Sequence, residues 1–230
     1  MKKENRSTNK KELNTMFRKA LITLTLISII SVPVFAGSYN YDQSSVVVPT
    51  SKYMTSSNTN VIWVDYTRDA EYDYGYFLNA GNTTITANGK QFNFVVTGTN
   101  DSSQGRYINF VKNWTISGST DYDKIKNTLI WFKNNGYKFT SDGYSKGDTM
   151  IDLKEGDCND YANLLLRLCQ TMGIPCTVVF ADTVGMSGAS SSHVCNVCYL
   201  DGHYYAVDLS LCVVSSDLDN GLFISIKLLD

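Results

Sequence analysis

The sequence predicts an α+β fold in which one helix packs on an antiparallel sheet, preceded by a β-rich N-terminal extension. Three observations support this prediction. Apolar residues recur at helical spacing after Cys158. Two apolar runs flank Asp201-Gly202, a strong two-residue hairpin signal, and Asn88-Gly89 is a second such signal in a region of short β-type runs.

The first 36 residues have the pattern of a signal peptide. Basic residues precede an uncharged apolar run at 20–30, and Val34 and Ala36 form a small-residue cleavage site, which places the cut after Ala36. The apolar run is short for a membrane span, which needs about 20 residues. An uncleaved signal anchor is the alternative. We therefore expect a secreted or cell-surface protein that meets the membrane only transiently, through its signal segment.

The charge balance bears on the partners of the mature chain. The signal segment holds seven basic and two acidic residues, so its removal changes the formal net charge from −2 to −7. An acidic chain without a basic cluster is a poor ligand for nucleic acid or for an anionic membrane. We expect neither as the main partner.

The segments after the signal divide into three predicted parts. Residues 37–56 have little periodicity and are predicted to form a linker or arm. Residues 57–118 are predicted to form a β-rich extension that supports the core, with Tyr107–Val111 as one of its strands. A separate binding module is the alternative for this extension. Residues 119–230 are predicted to form the domain that carries the chemistry.

The chemical domain begins with a predicted helix. Thr120 is its N-cap, and Gly136 follows its end. The loop from Tyr137 to Leu153 then leads directly to Cys158, so we expect it to form one wall of a cleft there.

Cys158 is predicted to lie in the first turn of the next helix. Asp157 is a suitable N-cap, Asp160 occupies the capping-box position, and Gly173 marks the helix end. The backbone N–H groups at a helix N-terminus stabilise negative charge. A thiol at that position should therefore ionise below its ordinary pKa of about 8.5, which makes it a nucleophile.

The hairpin at Asp201-Gly202 brings two further polar residues together. A two-residue turn places Leu200 opposite His203 and, counting outward, Cys195 opposite Asp208. His193 and Asp208 then share one face as diagonal neighbours, about 7–8 Å apart at Cα and within reach of a hydrogen bond. A cysteine with such a pair has the composition of a nucleophile, base and orienter set.

These motifs resemble a known family. Gly156-Asp157-Cys158-Asn159-Asp160-Tyr161-Ala162, then Gly173-Ile174-Pro175, His193, Leu200-Asp201-Gly202 and Val207-Asp208 are similar to the transglutaminase-like core, a rearranged relative of papain-like cysteine proteases. The resemblance spans about Thr120 to Ser210. It implies a catalytic helix packed on an antiparallel sheet, with Cys158 as nucleophile, His193 as general base and acid, and Asp208 as orienter. Cys195 and Tyr204 stand where the family often has Trp, which bears on the substrate groove.

The resemblance implies a secreted cysteine enzyme that acts on amide bonds through a thioester on Cys158. Water as the acceptor makes it a peptidase or amidase, which we favour, with a protein, a peptide or a cell-wall-related amide as substrate. One alternative is a transglutaminase that accepts an amine and cross-links proteins. The other is a non-catalytic surface binding protein built on the same core.

The six cysteines all lie between Cys158 and Cys212. We expect most of them to be buried and unpaired, and a disulfide among Cys176, Cys195, Cys198 and Cys212 stays open. A zinc site at His193, Cys195 and Cys198 is disfavoured, because Cys195 and Cys198 point to opposite faces of a strand. The sequence therefore predicts no metal and no cofactor.

Overall fold

The computed structural model describes residues 35–39, 45–47, 53–67, 72–141, 144–184, 190–215 and 223–228, which lie within one unit, Pro33–Asp230. The predicted signal peptide falls outside these ranges except for its last two residues, so its processing stays a prediction. Among the described residues, none of the helices combines the length and the apolar character that crossing a membrane requires.

The helices and strands alternate in blocks along the chain. The helices are α1 (Ser103–Lys112), α2 (Asp121–Asn134), α3 (Met150–Leu153) and α4 (Cys158–Met172), with a 3₁₀ turn at Gly147–Thr149. The strands are β1 (Phe35–Tyr39), β2 (Ser45–Val47), β3 (Thr55–Ser56), β4 (Ile62–Asp65), β5 (Tyr74–Phe77), β6 (Gly81–Ala87), β7 (Lys90–Val96), β8 (Lys138–Phe139), β9 (Glu155–Gly156), β10 (Cys176–Val184), β11 (Ser190–Leu200), β12 (His203–Asp208), β13 (Val213–Ser215) and β14 (Phe223–Leu228). The predicted α+β class is confirmed.

Helix α4 is the element on which the C-terminal half is built. Asp157 caps its N-terminus, and a reciprocal capping box joins Asp157 and Asp160. Gly173 ends the helix in the left-handed conformation at φ 72°, where a residue without a Cβ is favoured. The buried face predicted from the periodicity is present and includes Leu164, Leu165 and Leu168, each 0% exposed.

The five-stranded sheet beside α4 has the order β13-β12-β11-β10-β14, with antiparallel neighbours. Asp201 and Gly202 both have positive φ, as a type I′ turn requires. Leu200 pairs with His203, and the pairing continues in register to Asn196 opposite Val207. The predicted register of this hairpin is therefore confirmed over the recorded pairs.

The N-terminal part forms two smaller sheets with the orders β1-β7-β6-β3 and β2-β5-β4. The predicted hairpin at Asn88-Gly89 joins β6 to β7. Strands β2 and β3 and the last three residues of β1 lie in the segment 37–56 that the sequence predicts to be a linker or arm. The division of the chain into domains stays a prediction.

The prediction of a strand at Tyr107–Val111 is wrong, because these residues lie in helix α1. Ser102 caps this helix by accepting a hydrogen bond from the N–H of Gly105. The helix buries Tyr107, Ile108 and Val111, which lie on one face at a spacing of one and three residues. The strand preference of the aromatic and β-branched residues is thus outweighed by the cap and by packing.

A buried ion pair joins the N-terminal strands to α4. Arg167 donates from Nε to Asp65 at 2.7 Å, and the Asp65 side chain is fully buried. Gln170 Nε2 donates to the Val64 carbonyl oxygen at 2.8 Å. Trp63 also lies in the hydrophobic cluster that contains the buried face of α4. The β-rich segment therefore packs on the same helix that begins at Cys158.

Candidate active site

Cys158 lies at the first helical position of α4, where the predicted helix start placed it. The thiol is partly buried, and the His193 side chain and the backbone N–H of Val194 are the hydrogen-bonding groups that act on its pKa. The hydrogen bond to His193 lowers the pKa of Cys158. The Val194 N–H acts in the same direction, and together they outweigh burial and the nearby charge of Asp157. The helix N-terminus predicts a lowered pKa for Cys158, and the hydrogen bond to His193 lowers this pKa as well.

The two other predicted site residues meet across the β11–β12 hairpin. His193 Nε2 lies 2.5 Å from Asp208 Oδ2, and the two residues are only 9% and 2% exposed. Because Nε2 faces the carboxylate, Nδ1 is the ring nitrogen left for the Cys158 thiol. The structure therefore brings together all three residues that the sequence singled out.

The protonated imidazole is the favoured form of His193. Burial lowers the pKa of His193, but its hydrogen bonds to Asp208 and Cys158 outweigh burial and raise the pKa to about 9. A lowered thiol pKa beside a raised imidazole pKa favours the thiolate–imidazolium pair at neutral pH. That pair holds a nucleophile and a proton donor side by side.

Two groups that the sequence analysis did not single out hold the Asp208 carboxylate. Ser210 Oγ donates to Asp208 Oδ1 at 2.6 Å, and the Leu211 N–H donates to the same oxygen at 3.0 Å. The other oxygen is thereby left for His193. The signal for this arrangement is an Asp followed two residues later by Ser at a strand end, which is a common turn composition.

Asp160 fixes the loop that precedes the helix. Its buried carboxylate accepts hydrogen bonds from the N–H groups of Lys146 and Gly147 at 2.7 and 2.8 Å, and from the Ser145 hydroxyl. A Cβ on Gly156 would lie 2.8 Å from the Asp160 Cβ, so this glycine permits the close approach. The loop predicted as a cleft wall is thus tied to the first turn of α4.

Cys195 is almost completely buried, at 1% exposure, beside the Asp208 charge. Burial, followed by repulsion from Asp208, raises the pKa of Cys195 to about 12. This thiol therefore stays neutral, whereas the pKa of the Cys158 thiol is lowered.

The thiols that approach one another differ from the residues of the disfavoured zinc site, apart from Cys198. Among the described residues, a group of three, Cys169, Cys176 and Cys198, has sulfurs that lie within 4.8 Å of one another and could hold a metal ion. Cys198 belongs to this group, whereas His193 and Cys195 do not. The sequence analysis missed the contribution of Cys169, because it compared only strand cysteines.

The comparisons with known proteins find one family model and two similar solved structures. Residues 108–209 match the family model described as the transglutaminase-like superfamily. None of the curated proteins matches the chain. A solved structure from Cytophaga hutchinsonii, described as a "putative cysteine protease", is 15% identical with a TM-score of 0.36, and the match covers 80% of this chain and 75% of that one. A "putative protease" from Parabacteroides distasonis is 13% identical with a TM-score of 0.34, over 75% of this chain and 43% of that one.

Proposed function

Residues 108–209 belong to the transglutaminase-like superfamily, and on that premise we propose that the chain is a cysteine enzyme that acts on amide bonds through Cys158. The resemblance found in the motifs is thereby confirmed. The superfamily supports a cysteine enzyme in general, and the reaction is our proposal. The observation that carries it is the chain of contacts from the Cys158 thiol through His193 to the buried carboxylate of Asp208.

The first half of the proposed reaction is acylation. The Cys158 thiolate attacks the amide carbonyl carbon, and the carbonyl oxygen becomes an oxyanion. The Cys158 N–H, at the free N-terminal end of α4, is one donor to that oxyanion. His193 transfers its proton to the departing amine, so that the C–N bond breaks and a thioester remains on Cys158.

The second half is deacylation by water. His193, now neutral, takes a proton from water, and the hydroxide attacks the thioester. The C–S bond breaks, the carboxylic acid leaves, and the Cys158 thiolate is regenerated beside protonated His193. Asp208 accepts a hydrogen bond from Nε2 throughout, which keeps Nδ1 directed at the reacting atoms. We favour water as the acceptor because it needs no binding site beyond the imidazole. The proposed setting is outside the cell, with a peptide or a cell-wall-related amide as substrate.

The test is incubation of the purified protein with a peptide library, with and without an added primary amine, followed by mass spectrometry. Cleaved peptides whose yield does not depend on the amine support hydrolysis. Amine-coupled products as the main outcome would replace hydrolysis by transamidation. Cys158→Ala is the inactive control. Cys212→Ala is the matched variant that should keep its activity, because it also removes a partly buried free thiol.

Alkylation distinguishes an enzyme from a binding protein that has the same core. Trypsin releases Cys158 alone in the peptide Glu155–Arg167, whereas the other five cysteines share residues 168–227. We expect iodoacetamide near neutral pH to modify the first peptide much faster than the second. Equal, slow modification of both peptides would contradict an activated Cys158 and favour the binding protein.

A further inference from the structure

A second group of thiols lies where α4 ends and the sheet begins. Cys198 donates to Cys176 with their sulfurs 3.4 Å apart, and the sulfurs of Cys169 and Cys198 are 4.0 Å apart. Cys169 and Cys198 are fully buried, whereas Cys176 is only partly buried. Cys169 comes from α4, Cys176 from β10 and Cys198 from β11, so three elements place their sulfurs together.

The backbone geometry selects one pair from these three. Cys176 lies directly opposite Cys198 in the antiparallel pairing of β10 and β11. The Tyr199 N–H donates to the Pro175 carbonyl oxygen at 2.9 Å, which joins the residue before Cys176 to the residue after Cys198. That pattern marks a non-hydrogen-bonded pair, whose Cα atoms lie about 4.5 Å apart. A disulfide requires a Cα separation of about 4.4–6.8 Å, so the strands need not move to form one.

From this geometry we propose that Cys176 and Cys198 form an intramolecular disulfide, while Cys169 remains a thiol beside it. The bond links β10 to β11, the strand that contains His193. Cys169 is eleven residues from Cys158 along α4, about 16 Å at 1.5 Å per residue. The oxidised pair thus lies away from the nucleophile, which stays reduced.

The electrostatics of the three thiols agree with this chemistry. Burial raises the pKa of Cys176, but hydrogen bonds from Cys169, Cys198 and Asn196 outweigh burial and lower the pKa to about 5. Burial raises the pKa of Cys169, which therefore stays a neutral thiol. Cys176 thus has the lowest thiol pKa of the three, and it is the member of the group that is partly rather than fully buried.

The oxidation balances with a low-molecular-weight disulfide as the oxidant. The Cys176 thiolate attacks one sulfur of the oxidant, breaks its S–S bond and forms a mixed disulfide, with one small thiolate released. The Cys198 thiol then gives up its proton and attacks the Cys176 sulfur, which displaces the second small thiol. Both protein thiols are oxidised, and the small disulfide is reduced to two thiols.

The number of sulfurs argues against a metal ion as the occupant. The group supplies three ligands, one fewer than the four of a closed structural zinc site. A disulfide between two of the thiols needs no fourth ligand and carries no charge into the core.

The test is disulfide mapping of the intact wild-type protein after equilibration with oxidised glutathione. Cleavage with trypsin and Asp-N separates residues 168–181, which hold Cys169 and Cys176, from residues 182–200, which hold Cys195 and Cys198. We expect these two peptides to be linked through Cys176 and Cys198, with the other four cysteines open to alkylation. Six free thiols, a link through Cys169 or Cys195, or one bound zinc per chain when the reduced protein is mixed with zinc would each overturn the proposal.

Thermal unfolding gives a second measurement that needs no peptide chemistry. We expect oxidation to raise the Tm of the wild type by roughly 5–10 °C, because the bond closes a loop of the unfolded chain. Cys176→Ser and Cys198→Ser should each lose this shift, while Cys169→Ser and Cys212→Ser should keep it. Loss of the shift in Cys169→Ser but not in Cys176→Ser would show that the pair is wrong.

Discussion

The two ends of α4 hold cysteines in opposite chemical settings. At the N-terminal end, the Cys158 thiol contacts an imidazole that is held by a buried carboxylate. At the C-terminal end, Cys169 lies among two other sulfurs and apolar side chains. The helix dipole favours a thiolate at the first end and disfavours it at the second. One helix can therefore present a reactive thiol and bury an inert one, because its ends differ in charge and in partners.

The largest expected effect is the loss of activity when the cysteine at the N-terminal end of α4 is replaced. Cys158→Ala should lower amide turnover by about 10⁴-fold or more, because no other group replaces the nucleophile. Its Tm should stay close to that of the wild type, since the Asp157–Asp160 capping box remains. The measurements are product formation by mass spectrometry and thermal unfolding.

Cys169→Ala is the matched control at the other end of the helix. It removes a side chain that is 0% exposed, so it should destabilise the fold by about 1 kcal/mol and leave turnover per folded molecule unchanged. If Cys169→Ala abolished turnover while Cys158→Ala did not, the roles of the two ends would be exchanged.

The next effect tests the carboxylate. Asp208→Asn keeps the shape of the side chain but removes its charge, so kcat should fall by about 10²–10⁴-fold. The pKa of His193 should fall from about 9 toward its ordinary 6.5, because the hydrogen bond to Asp208 helps to raise it. The chain has two histidines, so NMR titration can follow His193 with exposed His203 as an internal reference. An unchanged rate and pKa would assign Asp208 to structure alone.

A smaller effect is expected in the pH dependence of stability. Because the pKa of folded His193 is raised, protonated His193 stabilises the fold fully below pH 6.5, and this contribution is lost as the pH rises through about 9. The free energy of unfolding of the wild type should exceed that of Asp208→Asn by about 1–3 kcal/mol near pH 6, and by less near pH 10. Urea unfolding at the two pH values measures this. A difference that does not change with pH would show that the pair contributes only through packing.

Much of the N-terminal end of α4 could be predicted from the sequence because its determinants are local. The cap at Asp157, the stop at Gly173 and the turn at Asp201-Gly202 each depend on a few adjacent residues. Together they fix both ends of the helix and the strand register. His193 and Asp208 could be paired because a two-residue turn leaves only one register that places them on the same face.

The thiol group at the C-terminal end of α4 could not be predicted, because it depends on contacts between distant segments. Cys169 and Cys198 are 29 residues apart, and only helix packing against β11 brings their sulfurs together. The same holds for Asp201, whose carboxylate accepts from the N–H groups of Asp121 and Tyr122 at the start of α2. The error at α1 has a related cause, since Tyr107 has a strand preference but packs under the Arg167 guanidinium, 5.3 Å from its ring centre.

The smallest expected effect concerns Ser210, which acts on the site through Asp208. Its hydroxyl is one of two donors to Asp208 Oδ1, and the Leu211 N–H remains when it is removed. Ser210→Ala should therefore lower kcat by only about 5-fold, the equivalent of one hydrogen bond of about 1 kcal/mol, with KM unchanged. Ser210→Thr keeps the hydroxyl and should restore the rate. Steady-state kinetics of the three proteins measures this, with Tm as the control. If Ser210 orients Asp208, its loss must slow the step in which the imidazole of His193 transfers a proton. A fall in Tm without a change in kcat would therefore show that Ser210 only stabilises the turn after β12.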